Sequence, residues 1–223
     1  MNQDIINNDV PSENQVYHTF STEFEPGAAL KVLFVGNSIT IHEPNADLGW
    51  YGCYGMAASC RDNDYVHVAK KLIKEKYGSV SIAVLHASAW ERSFWQYDAL
   101  DRDDIRSARE FEPDVAVIRI GENAHTFVTP EHDFKIGYER FVKYLCPNPK
   151  TKIIVTDQFW QCEKLDNPIK GLAAENGWQF VHIGDLGQSD ENKAIGLFEH
   201  GGVASHPGDL GMKRIAERIA EHI

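Results

Sequence analysis

Five runs of apolar residues punctuate the chain, at Lys31–Val35, Val80–His86, Asp114–Ile120, Lys152–Thr156 and Gln179–Ile183. Each is of strand length, rich in β-branched residues and scarcely broken by polar ones, the pattern of strands buried on both faces of a parallel sheet. Between these runs the apolar positions recur at three and four. Tyr65, Val68, Ala69, Leu72 and Ile73 follow Asn63 at that spacing and predict a helix that stops near Gly78. Phe134, Tyr138, Phe141 and Leu145 predict a second helix, and Met212, Ile215, Ala216, Ile219 and Ile223 a terminal one. Strands alternating with helices specify an α/β domain. Its expected form is a five-stranded parallel sheet with helices on both faces, in three flavodoxin-like α/β/α layers. Residues 1–30 are polar and poorly periodic, and read as an N-terminal arm laid against a domain spanning 31–223.

Composition narrows the partners. The 223 residues suffice for one sizeable core without staples. A formal net charge of −11 repels phosphate backbones and sets nucleic acid aside as a partner. No apolar run approaches the roughly 20 residues of a membrane span. Met1 to Asn8 lacks the basic and apolar pattern of a secretory signal, which points to the cytoplasm. Cys53, Cys60, Cys146 and Cys162 form neither a C-x-x-C pair nor a Cys/His ladder, so reduced thiols are expected rather than a zinc module. A Cys53–Cys60 bridge is the alternative in an oxidising compartment.

In open α/β sheets, ligands bind at the carboxyl ends of the strands near the topological switch point. Gly36-Asn37-Ser38-Ile39-Thr40 follows the first run, Gly121-Glu122-Asn123 follows the third, and Ser205-His206-Pro207-Gly208-Asp209 leads into the last helix. These segments bring Ser38, Asn123 and His206 to one sheet edge. A serine hydroxyl becomes a nucleophile when an imidazole takes its proton, and a fixed amide such as that of Asn123 stabilises a developing oxyanion. Asp209 reads as a helix cap. Glu122 and His125 share an E-x-x-H spacing, but they follow a strand rather than sit on paired helices, so no metal is expected.

These segments resemble the SGNH hydrolase family, also called GDSL-like esterases, over roughly Lys31 to Ile223. The G-D-S-x-T-like block appears as Gly36-Asn37-Ser38-Ile39-Thr40, the G-x-N block as Gly121-Glu122-Asn123, and the last block as His206-Pro207. The resemblance implies an ester hydrolase working through an acyl-enzyme without metal or organic cofactor. Ser38 would be the nucleophile and His206 the base, with Asn123 and the Ser38 main chain in the oxyanion hole. Two positions depart from the family. Where an aspartate usually orients the histidine, this chain has Val203, so a backbone carbonyl or one of Glu91, Glu122 and Glu199 must substitute. Where the second run should lead to a glycine, it leads to Ala87-Ser88, which assigns the second main-chain oxyanion donor to Ser88.

Trp50, Tyr51, Tyr54, Trp90, Phe94, Trp95, Phe159 and Trp160 all fall in loops after strands. About half are expected to fill core beneath those loops, and the rest suggest stacking against sugar rings or packing around an acyl group. Among the activities that the resemblance implies, removal of a small acyl group such as acetyl from a carbohydrate fits best. The rival substrates are acyl thioesters and short-chain lipid esters. A non-catalytic carbohydrate-binding domain with a decayed site is the rival of another class. Arg61, Arg92 and Arg119 read as solvated surface residues, with recognition of a substrate carboxylate as the alternative. Nothing in the chain opposes a homo-oligomer.

Overall fold

The computed structural model describes residues 16–223. Its strands are β1 (Phe20–Glu23), β2 (Leu30–Gly36), β3 (Val80–His86), β4 (Val115–Arg119), β5 (Lys152–Thr156) and β6 (Gln179–Val181), in the sheet order β1-β3-β2-β4-β5-β6. The five expected runs are the five parallel strands. The sheet has a sixth strand: β1, from within the stretch read as an arm, pairs antiparallel with β3. Its sequence, Phe20-Ser21-Thr22-Glu23, is short, polar and only half-buried, so no apolar run marks it. Residues 1–15 of that stretch lie outside the described residues.

Alternation along the strands builds two cores. Val32 and Phe34 of β2, Ile82 and Val84 of β3, and Val115 and Val117 of β4 face helices α1 (Tyr65–Tyr77) and α7 (Asp209–Ala220). Leu33, Val35, Ala83, Leu85, Ala116 and Ile118 face the opposite way, toward α3 (Asp103–Glu110), α4 (Phe134–Leu145) and α5 (Glu163–Asn176). Successive side chains of a strand point to opposite faces, so strands covered on both sides must be apolar throughout. The three predicted helices form as the spacing requires, with Gly78 at the end of α1. The α5 helix carries Pro168 in its second turn, which hides it from a periodicity argument. Among the described residues no helix is long and apolar enough to cross a membrane.

The chain leaves β2, adds β3 on one side and then β4 on the other. The carboxyl end of β2 is therefore the switch point, where the two crossovers diverge and leave a crevice. Gly36 stands in register with His86 of β3 and Arg119 of β4, so three strand ends finish level there.

An ionic tether holds β1 to the rest. Glu23 pairs with Arg61, with Lys70 and, at 2.9 Å, with His67, whose other ring nitrogen lies 2.7 Å from Asp64. Burial alone would lower the His67 pKa, but Asp64 and Glu23 outweigh it and raise it to about 9. A histidine raised above its ordinary 6.5 contributes stability below that value and loses it as pH rises through 9. Glu23→Gln is expected to cost about 2 kcal/mol at pH 6 and distinctly less at pH 10. Urea denaturation at the two values checks this, and an equal loss at both would exclude a charged His67 from the tether.

Candidate active site

The turn after β2 is set by Gly36. A Cβ there would lie 1.8 Å from Thr40 Oγ1 and 2.8 Å from the Arg119 carbonyl oxygen, so only glycine lets the chain turn this tightly. Thr40 and Ile41 both donate backbone N–H bonds to the Asn37 carbonyl, which closes the turn and leaves Ser38 at the mouth of the sheet. The Ser38 carbonyl accepts from Met56 N at 2.8 Å. Among the described residues no group accepts from the Ser38 N–H.

His206 arrives from the other end of the chain. It follows the short helix α6 (Gly201–Ala204), and its backbone is held at both ends: its N–H donates to Val203 and its carbonyl accepts from Ala194 N at 2.9 Å. Its Nε2 lies 2.8 Å from Ser38 Oγ, and its Nδ1 lies 2.7 Å from the Gly202 carbonyl oxygen. A carbonyl only accepts, so Nδ1 carries the proton and Nε2 is free to accept from the Ser38 hydroxyl. Burial pushes the His206 pKa down to about 4, which keeps the ring neutral at pH 7. Trp160 packs edge-on against it, 4.9 Å between centroids.

The orienter of His206 is thus main chain. Glu91, Glu122 and Glu199 make no hydrogen bond to it among the described residues. Glu199 is exposed, and the other two belong to a buried network beneath the site. Glu91, the last residue of α2 (Ser88–Glu91), is fully buried and accepts from Asn37 Nδ2 at 2.9 Å, from Gly121 N at 2.6 Å and from Asn123 Nδ2. Glu122 accepts from Asn37 Nδ2 at 2.6 Å and pairs with Arg119, which also donates to Asn37 Oδ1. Arg119 is fully buried rather than a surface residue, because these partners replace its water. Burial, and then the Glu122 carboxylate, push Glu91 up to about 7.

Asn123 follows Gly121, whose φ of +146° admits only glycine comfortably and whose Cβ would strike Gln158 Nε2 at 2.6 Å. One amide N–H of Asn123 is fixed by Glu91, and the second remains for the cleft. Ser88 opens α2, with its hydroxyl 2.7 Å from His86 Nε2. Ser38, Ser88, Asn123 and His206 all line one cleft of about 190 Å³, together with Leu48, Met56, Val203, His42, Arg92 and His200. Four of the loop aromatics, Trp50, Trp90, Phe94 and Phe159, are fully buried in the cores. Of the eight loop aromatics none lines the cleft, and Trp160 packs its ring against that of His206. Asp209 is the first residue of α7 rather than its cap, and it accepts from Ser59 and Asn63 of the loop before α1.

Two wider grooves lie elsewhere, about 380 Å³ beside Arg214 and about 480 Å³ beside Cys146. Neither is lined by a histidine, and burial pushes the Cys146 thiol up to about 12, far from a reactive thiolate. All four cysteines are unbridged. Among the described residues no group of three or more His, Cys, Asp or Glu side chains is placed to hold a metal ion.

No protein-family model matches the chain, and no curated protein does. Solved structures are similar in fold. A Bacteroides ovatus protein assigned as a GDSL-like lipase superposes with a TM-score of 0.58 at 14% identity, over 87% of this chain and 98% of its own. The extracellular lipase of Streptomyces rimosus gives 0.55 at 9% identity, over 87% of this chain and 99% of its own. A salicylyl-acyltransferase from a tetracycline biosynthetic pathway gives 0.56 at 16% identity, over 90% of this chain and 56% of its own. The fold is that of the GDSL-like hydrolases, the family whose sequence blocks this chain resembles.

Removing Arg119 would leave two buried carboxyl groups without a counter-charge. Arg119→Met is expected to cost about 3–5 kcal/mol at pH 8. The loss should be smaller at pH 5, where Glu91, raised to about 7 by its burial, is neutral. Guanidinium unfolding at both values measures it, and a loss at least as large at pH 5 would contradict the network's charge.

Proposed function

We propose that this chain is a serine carboxylic-ester hydrolase that removes a small acyl group, acetyl foremost, from a polar alcohol such as a sugar. The observation that carries the reading is the 2.8 Å contact at the switch point between Ser38 Oγ and Nε2 of His206, whose Nδ1–H is held by the Gly202 carbonyl. The Ser38 oxygen attacks the acyl carbonyl while Nε2 takes its proton. The imidazolium so formed donates through Nε2 to the leaving alcohol, and its Nδ1–H keeps the Gly202 carbonyl throughout. The carbonyl oxygen, now an anion, meets the Ser38 N–H and the second amide N–H of Asn123, with Ser88 as the further donor expected from the sequence. Water then enters in place of the alcohol, and the same base and donors release the acid.

The size of the cleft supports a small acyl group, since about 190 Å³ falls short of the ~300 Å³ at which drug-sized ligand pockets begin. Leu48, Met56 and Val203 give it an apolar wall. His42, Arg92 and His200 also line it and offer hydrogen-bonding groups to a polyol. The sugar reading therefore rests on hydrogen bonding at the rim rather than on aromatic stacking. Similarity to a lipase and to an acyltransferase supports acyl chemistry in general.

Hydrolysis of p-nitrophenyl esters from acetate to octanoate tests the reading. Ser38→Ala and His206→Ala are each expected to lose ~10³-fold or more in kcat, with acetate the preferred wild-type substrate. Activity in Ser38→Ala equal to wild type would end the nucleophile assignment, and faster turnover of acyl thioesters would redirect the substrate class. Because His206 stays neutral down to about pH 4, the acid limb of kcat/KM should lie near that value rather than at 6.5. A pH profile of the wild type from 3.5 to 8 reads this directly.

A further inference from the structure

Beside the Ser38–His206 pair stands a second hydroxyl–imidazole arrangement, whose side chains the mechanism above leaves unused, Ser88 serving there through its main chain only. His86 ends β3, level with Gly36. Its Nε2 lies 2.7 Å from Ser88 Oγ, and its Nδ1 is hydrogen-bonded to the Tyr17 hydroxyl. Ser88 lines the cleft with Ser38 and Asn123. Tyr17 has no other hydrogen-bond partner among the described residues.

Counting hydrogens reduces the chain Tyr17–His86–Ser88 to two arrangements. Burial, followed by the neighbouring His42 and Arg92, lowers the His86 pKa to about 4, so the ring is neutral with one N–H. The phenol is pushed up to about 12 by burial and keeps its proton. Three hydrogens serve two hydrogen bonds, and one hydrogen remains at one end of the chain. A phenol that donates to Nδ1 places the ring proton on Nε2. Nε2–H then donates to Ser88 Oγ, and the Ser88 hydroxyl hydrogen is the one left over, at the wall of the cleft.

We infer that Ser88 is a further catalytic residue: its side-chain hydroxyl, aimed by His86 and Tyr17, donates to the oxyanion of the acyl-transfer step. The inference rests on the esterase reading of the Ser38 site. No covalent bond changes at Ser88 and no proton leaves it, since the hydroxyl donates in both intermediates. Three aligned donors polarise one another, so the bond to the oxyanion strengthens as charge develops. The hydroxyl also gives a chemical reason for Ser88 where the family pattern has glycine, because glycine offers only its main chain.

The test combines kinetics, labelling and the ring tautomer. Ser88→Ala should lower kcat on p-nitrophenyl acetate ~10²-fold with KM nearly unchanged, and Ser88→Thr, which keeps the hydroxyl, should retain most activity. Tyr17→Phe should fall ~10-fold, and the double variant should be no worse than Ser88→Ala alone, as expected of groups acting as one unit. Ser88→Ala should slow fluorophosphonate labelling of Ser38 by a similar factor, with an unchanged melting temperature. The ¹⁵N shifts of His86, assigned by their loss in His86→Gln, should report Nε2–H in the wild type. An Nδ1–H tautomer, labelling at Ser88 itself, or Ser88→Ala within ~2-fold of wild type would each overturn the role of Ser88 alone. Labelling that ignores Ser38 altogether would overturn the esterase reading, and this inference with it.

Discussion

The site stands on a buried knot of charge. Arg119, Glu122, Asn37 and Glu91 come from the ends of three neighbouring strands or the turns beyond them, and Arg119, Asn37 and Glu91 are sealed from water. Each ion taken from water costs several kcal/mol unless its partners replace the solvent. That requirement fixes the geometry, because few arrangements let one guanidinium and two carboxyl groups satisfy each other. Asn37 is the joint: its amide nitrogen serves both acids while its oxygen serves Arg119. An aspartate at position 37, as in the G-D-S pattern, would add a third acid and remove the donor. The neutral amide suits a floor that already holds two carboxyls.

From that floor the candidate catalytic groups are aimed outward. Glu91 holds the Asn123 amide, and Asn37 closes the turn that presents Ser38. The wall opposite is a small apolar cluster of Trp50, Met56, Ala57, Ala194 and Val203, which joins the long loop after β2 to the segment carrying His206. Two residues 168 positions apart thereby meet at hydrogen-bonding distance. The twisted sheet alone would bring their loops to the same edge, and the cluster brings them into contact.

Much of this is legible in the chain itself, for physical reasons. Strands buried on both faces must be apolar, so β2 to β5 announce themselves, the edge strand β6 is marked by the apolar run that continues to Ile183, and the helices α1, α4 and α7 show their inward stripes. Ser38, Asn123 and His206 are visible because an open sheet gathers the loops from its strand ends along one edge. The strand β1 is hidden, since a half-buried edge strand needs no apolar run. Arg119 is hidden for another reason: sequence pattern does not show that a cation has found enough partners to be buried. Glu91 reads equally well as a partner of His206 and proves to hold Asn123 instead. The two roles need the same residue type at the same strand end, and only distances separate them. The contact between Tyr17 and His86 has no local signal at all, because it joins an edge segment to a strand 69 residues away.

The carbonyl of Gly202 carries a consequence for how this chain can vary. Where an acid side chain orients a catalytic imidazole, one substitution removes the orienter and position 203 is committed to chemistry. Here the orienter belongs to the backbone, which every amino acid supplies. Position 203 is thereby released, and Val203 spends its side chain in the apolar cluster beneath the loop. The vulnerability moves from identity to shape: insertions, deletions or prolines between residues 200 and 206 would displace the carbonyl, whereas exchange of Val203 for another apolar residue would leave it in place.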